Sequence, residues 1–111
     1  MNFNETESIE FKRTLNDKFE KEVVAFLNSV GGKIIIGIDD NGNVVGVDNV
    51  DKTALLIADK IKNNISPSAI GLFNIAIKEE NEKSYVVVTV AGGLEKPYHL
   101  KNTVCQQTAA L

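Results

Sequence analysis

The chain has 111 residues, of which 43% are hydrophobic, so it can build the core of one compact domain, and its composition excludes a disordered chain. Its formal net charge of -3 excludes a strongly basic protein, so a nucleic-acid-binding function requires a local basic patch. The single cysteine excludes an internal disulfide and a cysteine-rich zinc site, and we expect a reduced, cytoplasmic setting without a membrane span.

The first part of the chain alternates between strand and helix patterns. Residues 8–12 predict a short strand, because apolar side chains occupy every second position. Residues 17–30 predict an amphipathic helix, which Gly31 and Gly32 are expected to end. Residues 33–39 are rich in β-branched side chains and predict a buried strand.

A hairpin is predicted next. Asn41-Gly42 between two apolar runs favours a type I′ turn, in which both central residues take positive φ. Residues 44–47 are therefore predicted to be the return strand of this hairpin. The glycines of this region match neither of the glycine-rich phosphate-binding patterns, because they follow a helix and precede a strand.

The second part of the chain predicts one more helix and two strands. Asp51 can cap a second helix, whose apolar residues at helical spacing run from Ala54 to Ile65, and Pro67 ends this pattern. Residues 72–78 alternate, with Phe73, Ile75 and Ile77 on one side and Asn74, Ala76 and Lys78 on the other, and residues 85–90 form a further apolar strand. The order β-α-β-β-α-β-β predicts an α+β fold with a mixed sheet and two helices on one face.

Four blocks of sequence occur in order along the chain: ETESIEFK at 5–12, FLNSVGG at 26–32, IGIDDNGNVVGV at 36–47 and EKPYHLK at 95–101. Together they resemble the signature of the Schlafen AlbA-like (AlbA_2) domain, which in bacteria is labelled a DNA-binding or transcriptional-regulator domain. The resemblance implies a domain over residues 1–101. Residues 102–111 are an atypical tail, in which the final strand of the family pattern and its arginine are missing.

The resemblance implies a nucleic-acid-binding domain, with DNA as the expected partner, in a protein of the transcriptional-regulator type. No cofactor is expected for this function. Basic residues near the matched blocks are candidates for phosphate contacts, and an aromatic side chain could stack on a base. The expected binding residues are Lys12, Arg13, Lys33, Tyr98 and Lys101. The competing interpretation of these lysines is an ordinary solvated surface.

Two alternatives stay open. Some Schlafen relatives are described as RNA endonucleases that use two glutamates and an aspartate, and the matching positions here are Glu5, Glu10 and Asp40. These carboxylates would be metal ligands and catalytic groups for Mg²⁺ or Mn²⁺, although solvated acids and turn chemistry explain them equally simply. The other alternative is a homo-oligomerisation or protein-interaction module, for which the missing last strand would leave an open sheet edge.

Overall fold

A four-stranded mixed sheet organises the computed structural model, which describes residues 8–101. Its strand order is β1-β2-β5-β4; β1 runs parallel to β2, and the other neighbours are antiparallel. Two short strands, β3 and β6, pair separately. The elements in chain order are β1 (Ile9–Lys12), α1 (Phe19–Leu27), β2 (Gly31–Ile36), α2 (Val50–Asn64), β3 (Ile65–Ser66), β4 (Phe73–Glu80), β5 (Lys83–Ala91) and β6 (His99–Leu100).

Both helices pack on the same face of this sheet, which confirms the predicted α+β architecture. Phe19, Val23 and Leu27 recur every four residues of α1 and are fully buried. Ile57 and Ile61 do the same on α2. They meet alternate residues of the two central strands in one core, namely Ile34, Ile36, Val86, Val88 and Val90.

The ends of α1 differ from the prediction. The helix ends at Leu27, with Asn28 as its C-cap, and Gly31 begins β2 with a φ of 94°. A Cβ on Gly31 would lie 2.4 Å from the carbonyl oxygen of Val90. Gly31 is therefore required by the close approach of β5, rather than by the end of the helix.

The segment after β2 also differs from the predicted hairpin. Asp40 and Asn41 have ordinary φ angles and Gly42 has a φ of 86°, so the turn is a type I turn followed by a left-handed glycine. The return strand is reduced to a single bridge between Ile38 and Val44. The chain leaves this pairing because Gly46 turns at a φ of 84° and the N–H of Val47 donates to Ser84 of β5 at 2.8 Å.

A type I′ turn does occur between β4 and β5. Its central residues, Asn81 and Glu82, have φ values of 54° and 65°, and Glu80 pairs with Lys83 on either side of them. The two strands then pair without interruption from Phe73 to Ala91. The connection between β4 and β5 is thus a tight two-residue turn.

Candidate nucleic-acid interface

The sheet has a second face, turned away from both helices, which we call the outer face. Its side chains alternate with those of the helix-covered core, and cross-strand partners share the same side. The loop that follows β2 covers one end of this face, where Ile38 and Val44 pack with Ile35 and Tyr85. The outer face consists of Ile9, Phe11, Lys33, Ile35, Asn74, Ala76, Lys78, Glu80, Lys83, Tyr85, Val87 and Thr89.

A polar row crosses the uncovered end of the outer face. Lys33 of β2 pairs in register with Thr89 of β5, which pairs with Asn74 of β4. Beside this row, Lys33 and Thr89 line an open cleft of about 290 Å³ together with Ser8, Val30, Gly31, Gly32 and Val90. Ammonium, hydroxyl and amide groups at neighbouring strand positions provide donors about 5 Å apart, which suits an extended anionic chain.

The next row of the outer face is apolar. Phe11, Ile35, Val87 and Ala76 lie side by side across the four strands. Phe11 is half-buried at the edge of the sheet. An aromatic ring beside a row of hydrogen-bond donors is an arrangement by which sheets hold unpaired bases next to their phosphates.

The charge of the outer face is opposite in sign to that of the whole chain. Among the residues of β1, β2, β4 and β5, this face carries Lys33, Lys78 and Lys83 and one acid, Glu80. Glu80 is paired in register with Lys83 across the turn, and the cross-strand register partners of Lys33 and Lys78 are uncharged residues. A chain of net charge -3 thus has a locally basic sheet face.

Lys12 and Arg13 do not extend this basic surface as a pair. Lys12 points to the helix side, where its Nζ lies 3.0 Å from Oε2 of Glu22 and its side chain is only 10% exposed. Arg13 is exposed just after β1, and after the hydrogen bonds from Asn43 and Asn41 its charge makes the smallest contribution to the lowered pKa of the Asp39 carboxyl. Lys12 is consequently committed to an ion pair, whereas Arg13 stays accessible to a ligand.

Arg13 lines a separate open cleft, of about 400 Å³, at the beginning of α2. Lys52 of the first helical turn lines the same cleft, together with Thr14, Thr53 and the acidic Asp48. Its remaining walls are largely apolar, formed by Leu15, Val47 and Leu56. This cleft lies beyond the C-terminal end of β1, whereas Lys33 pairs with Ile9 at the N-terminal end of that strand.

Tyr98 is a structural residue of the core in this fold. Its ring is 3% exposed, and its hydroxyl accepts hydrogen bonds from the N–H groups of Leu94 and Glu95, each at 3.1 Å. Its backbone is held by Asn28, which accepts from the N–H of Tyr98 at 2.5 Å and donates to its carbonyl at 2.9 Å. The ring therefore has no free face on which a base could stack.

Lys101 lies apart from the other expected binding residues. Its N–H donates to the carbonyl of Asn64 at the end of α2 at 2.8 Å. The side chain of Asn64 in turn donates to Glu20, which lines the same small cleft as Lys101. The carboxylate beside Lys101 makes this position less attractive to phosphate than the outer face is.

The acidic positions of the nuclease alternative are not assembled within residues 8–101. Glu10 is exposed on the helix side of β1, and Asp40 is exposed in the turn after β2. Glu10 pairs in register with Ile34 in the middle of the β1-β2 pair, whereas Asp40 follows the C-terminal end of β2. No group of three His, Cys, Asp or Glu side chains in this part of the chain could hold a metal ion. Glu5 lies outside the described residues, so the metal site stays a prediction.

Asp39, rather than Asp40, is the chemically engaged acid of this turn. Its Oδ1 accepts the N–H groups of Asn41 and Asn43, each at 2.9 Å. The bond from Asn43 is the main cause that holds the pKa of the Asp39 carboxyl below its usual range, while desolvation opposes it. The Asp39 carboxylate thus closes the turn, as Asx residues commonly do.

Three residues of the outer face, Lys78, Asn74 and Thr89, are not marked as site residues by any motif of the sequence. The signal was present, because Asn74 and Lys78 were recognised as the polar side of an alternating strand. What the sequence lacks is the order of the strands. Only the pairing of β5 between β2 and β4 brings Lys33, Thr89 and Asn74 into one row.

Comparison with known proteins agrees with this architecture. The family model described as "Schlafen, AlbA_2" matches residues 5–109. The N-terminal domain of an ATP-dependent DNA helicase RecG-related protein from Nitrosomonas europaea superposes with a TM-score of 0.71 at 24% identity, over 86% of this chain and 71% of that one. The DIP2311 protein from Corynebacterium diphtheriae gives a TM-score of 0.61 at 21% identity, over 88% of this chain but only 20% of that protein.

A comparison with curated proteins found no match. At these identities the two structural neighbours establish the fold. Among the described residues, neither helix is long and apolar enough to cross a membrane.

Proposed function

The chain belongs to the Schlafen AlbA_2 family, and we propose that it binds nucleic acid through the outer face of its sheet, chiefly by contacts to phosphates. The observation that carries the proposal is the basic outer face of an otherwise acidic chain. Lys33 and Lys78 approach phosphates along the strands. Thr89 and Asn74 donate hydrogen bonds between them.

The shape of the surface favours an unpaired strand over a rigid duplex. Ile35 of the neighbouring apolar row is fully buried under the loop, but Phe11, Val87 and Ala76 of that row are partly exposed beside the polar row, so phosphates and bases have adjacent places to bind. The matched family supports a nucleic-acid-related domain. Within a protein of the transcriptional-regulator type, we propose DNA, and specifically single-stranded DNA, as the preferred ligand. The structural neighbour related to a DNA helicase is consistent with this choice.

Fluorescence anisotropy tests the proposal. The purified chain is titrated into labelled single-stranded DNA, single-stranded RNA and duplex DNA at low and moderate salt, with Mn²⁺ or with EDTA. We expect salt-sensitive binding of single-stranded DNA and intact probe in both arms. Cleavage that requires Mn²⁺ would instead favour the nuclease alternative.

Lys33→Gln is the decisive variant for the interface. It should weaken binding of all single-stranded sequences about equally and reduce the magnitude of the slope of log K against log salt by about 0.7, because one phosphate contact is lost. Lys62→Gln is the matched control, since Lys62 is exposed near the end of α2 and the substitution removes the same charge. Equal losses in the two variants, or no binding by the wild type at low salt, would refute the proposed interface.

A further inference from the structure

Among the described residues, the outer edge of β4 is an open end of the sheet. β4 is the last strand in the order β1-β2-β5-β4, and it runs for eight residues in unbroken register with β5. It contains neither proline nor a bulge, two features that commonly protect sheet edges. Within residues 8–101, no backbone hydrogen bond from another segment reaches this edge.

The type I′ turn decides which backbone groups point outward. In a two-residue hairpin the residues beside the turn exchange both hydrogen bonds, so Glu80 and Lys83 form a hydrogen-bonded pair. Alternation then directs the N–H and C=O groups of Lys78, Ala76 and Asn74 to β5. The N–H and C=O groups of the other four residues point outward, which makes eight outward backbone groups. These residues are Phe73, Ile75, Ile77 and Glu79.

An apolar side chain lies directly above this open edge. Ile77 is 44% exposed on the helix side of the sheet, although its neighbours on that side, Phe73 and Ile75, are half-buried against the core. An exposed isoleucine beside unpaired backbone groups favours the addition of a further strand.

We propose that β4 pairs antiparallel with β4 of a second copy of this chain, about a two-fold axis at Ala76. In this register Ile75 lies opposite the partner's Ile77, and Phe73 lies opposite the partner's Glu79. All eight outward groups of each β4 strand then form hydrogen bonds with the partner's β4 strand. The two-fold axis repeats each of these bonds once. The two sheets become one, and their outer faces lie side by side.

The side chains favour this register over the registers shifted along the strand. Lys78 lies opposite the partner's Asn74, so no two like charges face each other directly, and each exposed Ile77 covers an isoleucine. A shift of the strands in either direction leaves part of the edge unpaired. One such shift also brings Lys78 opposite its own copy, which is unfavourable.

Charge substitutions at Ala76 test the pairing. Ala76 meets its own copy at the two-fold axis in a non-hydrogen-bonded pair, where side chains approach closely. Ala76→Asp and Ala76→Lys should each convert the dimer into a monomer by like-charge repulsion, and an equimolar mixture of the two should restore a dimer. Ala25→Asp, on the exposed side of α1, is the matched control and should remain dimeric.

The measurement is the mass in solution by light scattering coupled to size exclusion, with circular dichroism to verify that each variant is folded. Twice the chain mass for the wild type, the chain mass for each Ala76 variant and twice the chain mass for their mixture would establish the interface. A monomeric wild type, a dimer that survives either Ala76 substitution, or a mixture that stays monomeric would overturn it. Nucleic-acid binding is measured separately, so either proposal can fail alone.

Discussion

Glu82 occupies a backbone conformation that suits glycine better than glutamate. Its φ of 65° follows that of Asn81 at 54°, and the sequence Asn-Gly is the preferred pair for this turn. Glu82→Gly should therefore raise the free energy of unfolding by about 0.5–1 kcal/mol, since relief of left-handed strain outweighs the added chain entropy. Urea denaturation measures the change.

A glycine at an extended position provides the contrast for this prediction. Glu80→Gly lies in the strand beside the same turn and should lower stability, because glycine weakens strands. If Glu82→Gly were equally destabilising, the positive φ at this position would not be a source of strain.

At the level of single residues, the sequence identified where unusual backbone angles occur better than why they occur. Gly42 was correctly placed in a turn, but the type of turn depends on the unpaired path that the chain takes after it. Gly31 was attributed to the end of a helix, whereas a Cβ at this position would clash with the carbonyl oxygen of Val90. The cause in both cases is a neighbour distant in sequence, which local propensity does not contain.

Between elements, the contact of Asn28 with Tyr98 joins the end of α1 to the segment before β6. Both polar groups of the Asn28 amide are used, one as donor and one as acceptor, across 70 residues of sequence. Asn28→Ala should cost about 1–3 kcal/mol of unfolding free energy, because two partly buried backbone groups of Tyr98 lose their partners. Thermal or urea denaturation tests this value.

Asn63→Ala is a suitable comparison, since Asn63 is exposed in the last turn of α2. It should change stability by no more than about 0.5 kcal/mol. A similarly small effect of Asn28→Ala would mean that water replaces the lost bonds, and that this contact does not fasten the two segments.

Periodicity predicted most elements because each buries one regular face. The amphipathic pattern located both helices, and alternation located β4 and β5 to within a few residues. Residues 44–47 have strand propensity, but only Val44 forms a bridge, to Ile38, and Val47 donates to Ser84 of β5 instead. The two-residue strands β3 and β6 are too short to show an alternating hydrophobic pattern, and they are defined by their pairing with each other.

For the whole molecule, the order of the strands places lysines that are distant in sequence on one face of the sheet. The positions expected to bind were selected from short motifs, and they are distributed over separate parts of the fold. Arg13 and Lys33 line separate clefts, and Tyr98 lies in the core. The outer face depends on β5 lying between β2 and β4, which no local motif specifies. Pairing of two copies at β4 would double the length of this face.

Chemical-shift mapping by NMR tests the outer-face interface most directly. Single-stranded DNA is titrated into the isotopically labelled chain, and the backbone amide shifts are followed at low salt. We predict the largest changes at Lys33, Asn74, Lys78 and Thr89, with little change along α1 and α2. Changes concentrated instead around Arg13 and Lys52 would place binding at the other cleft and contradict the assignment of the outer face.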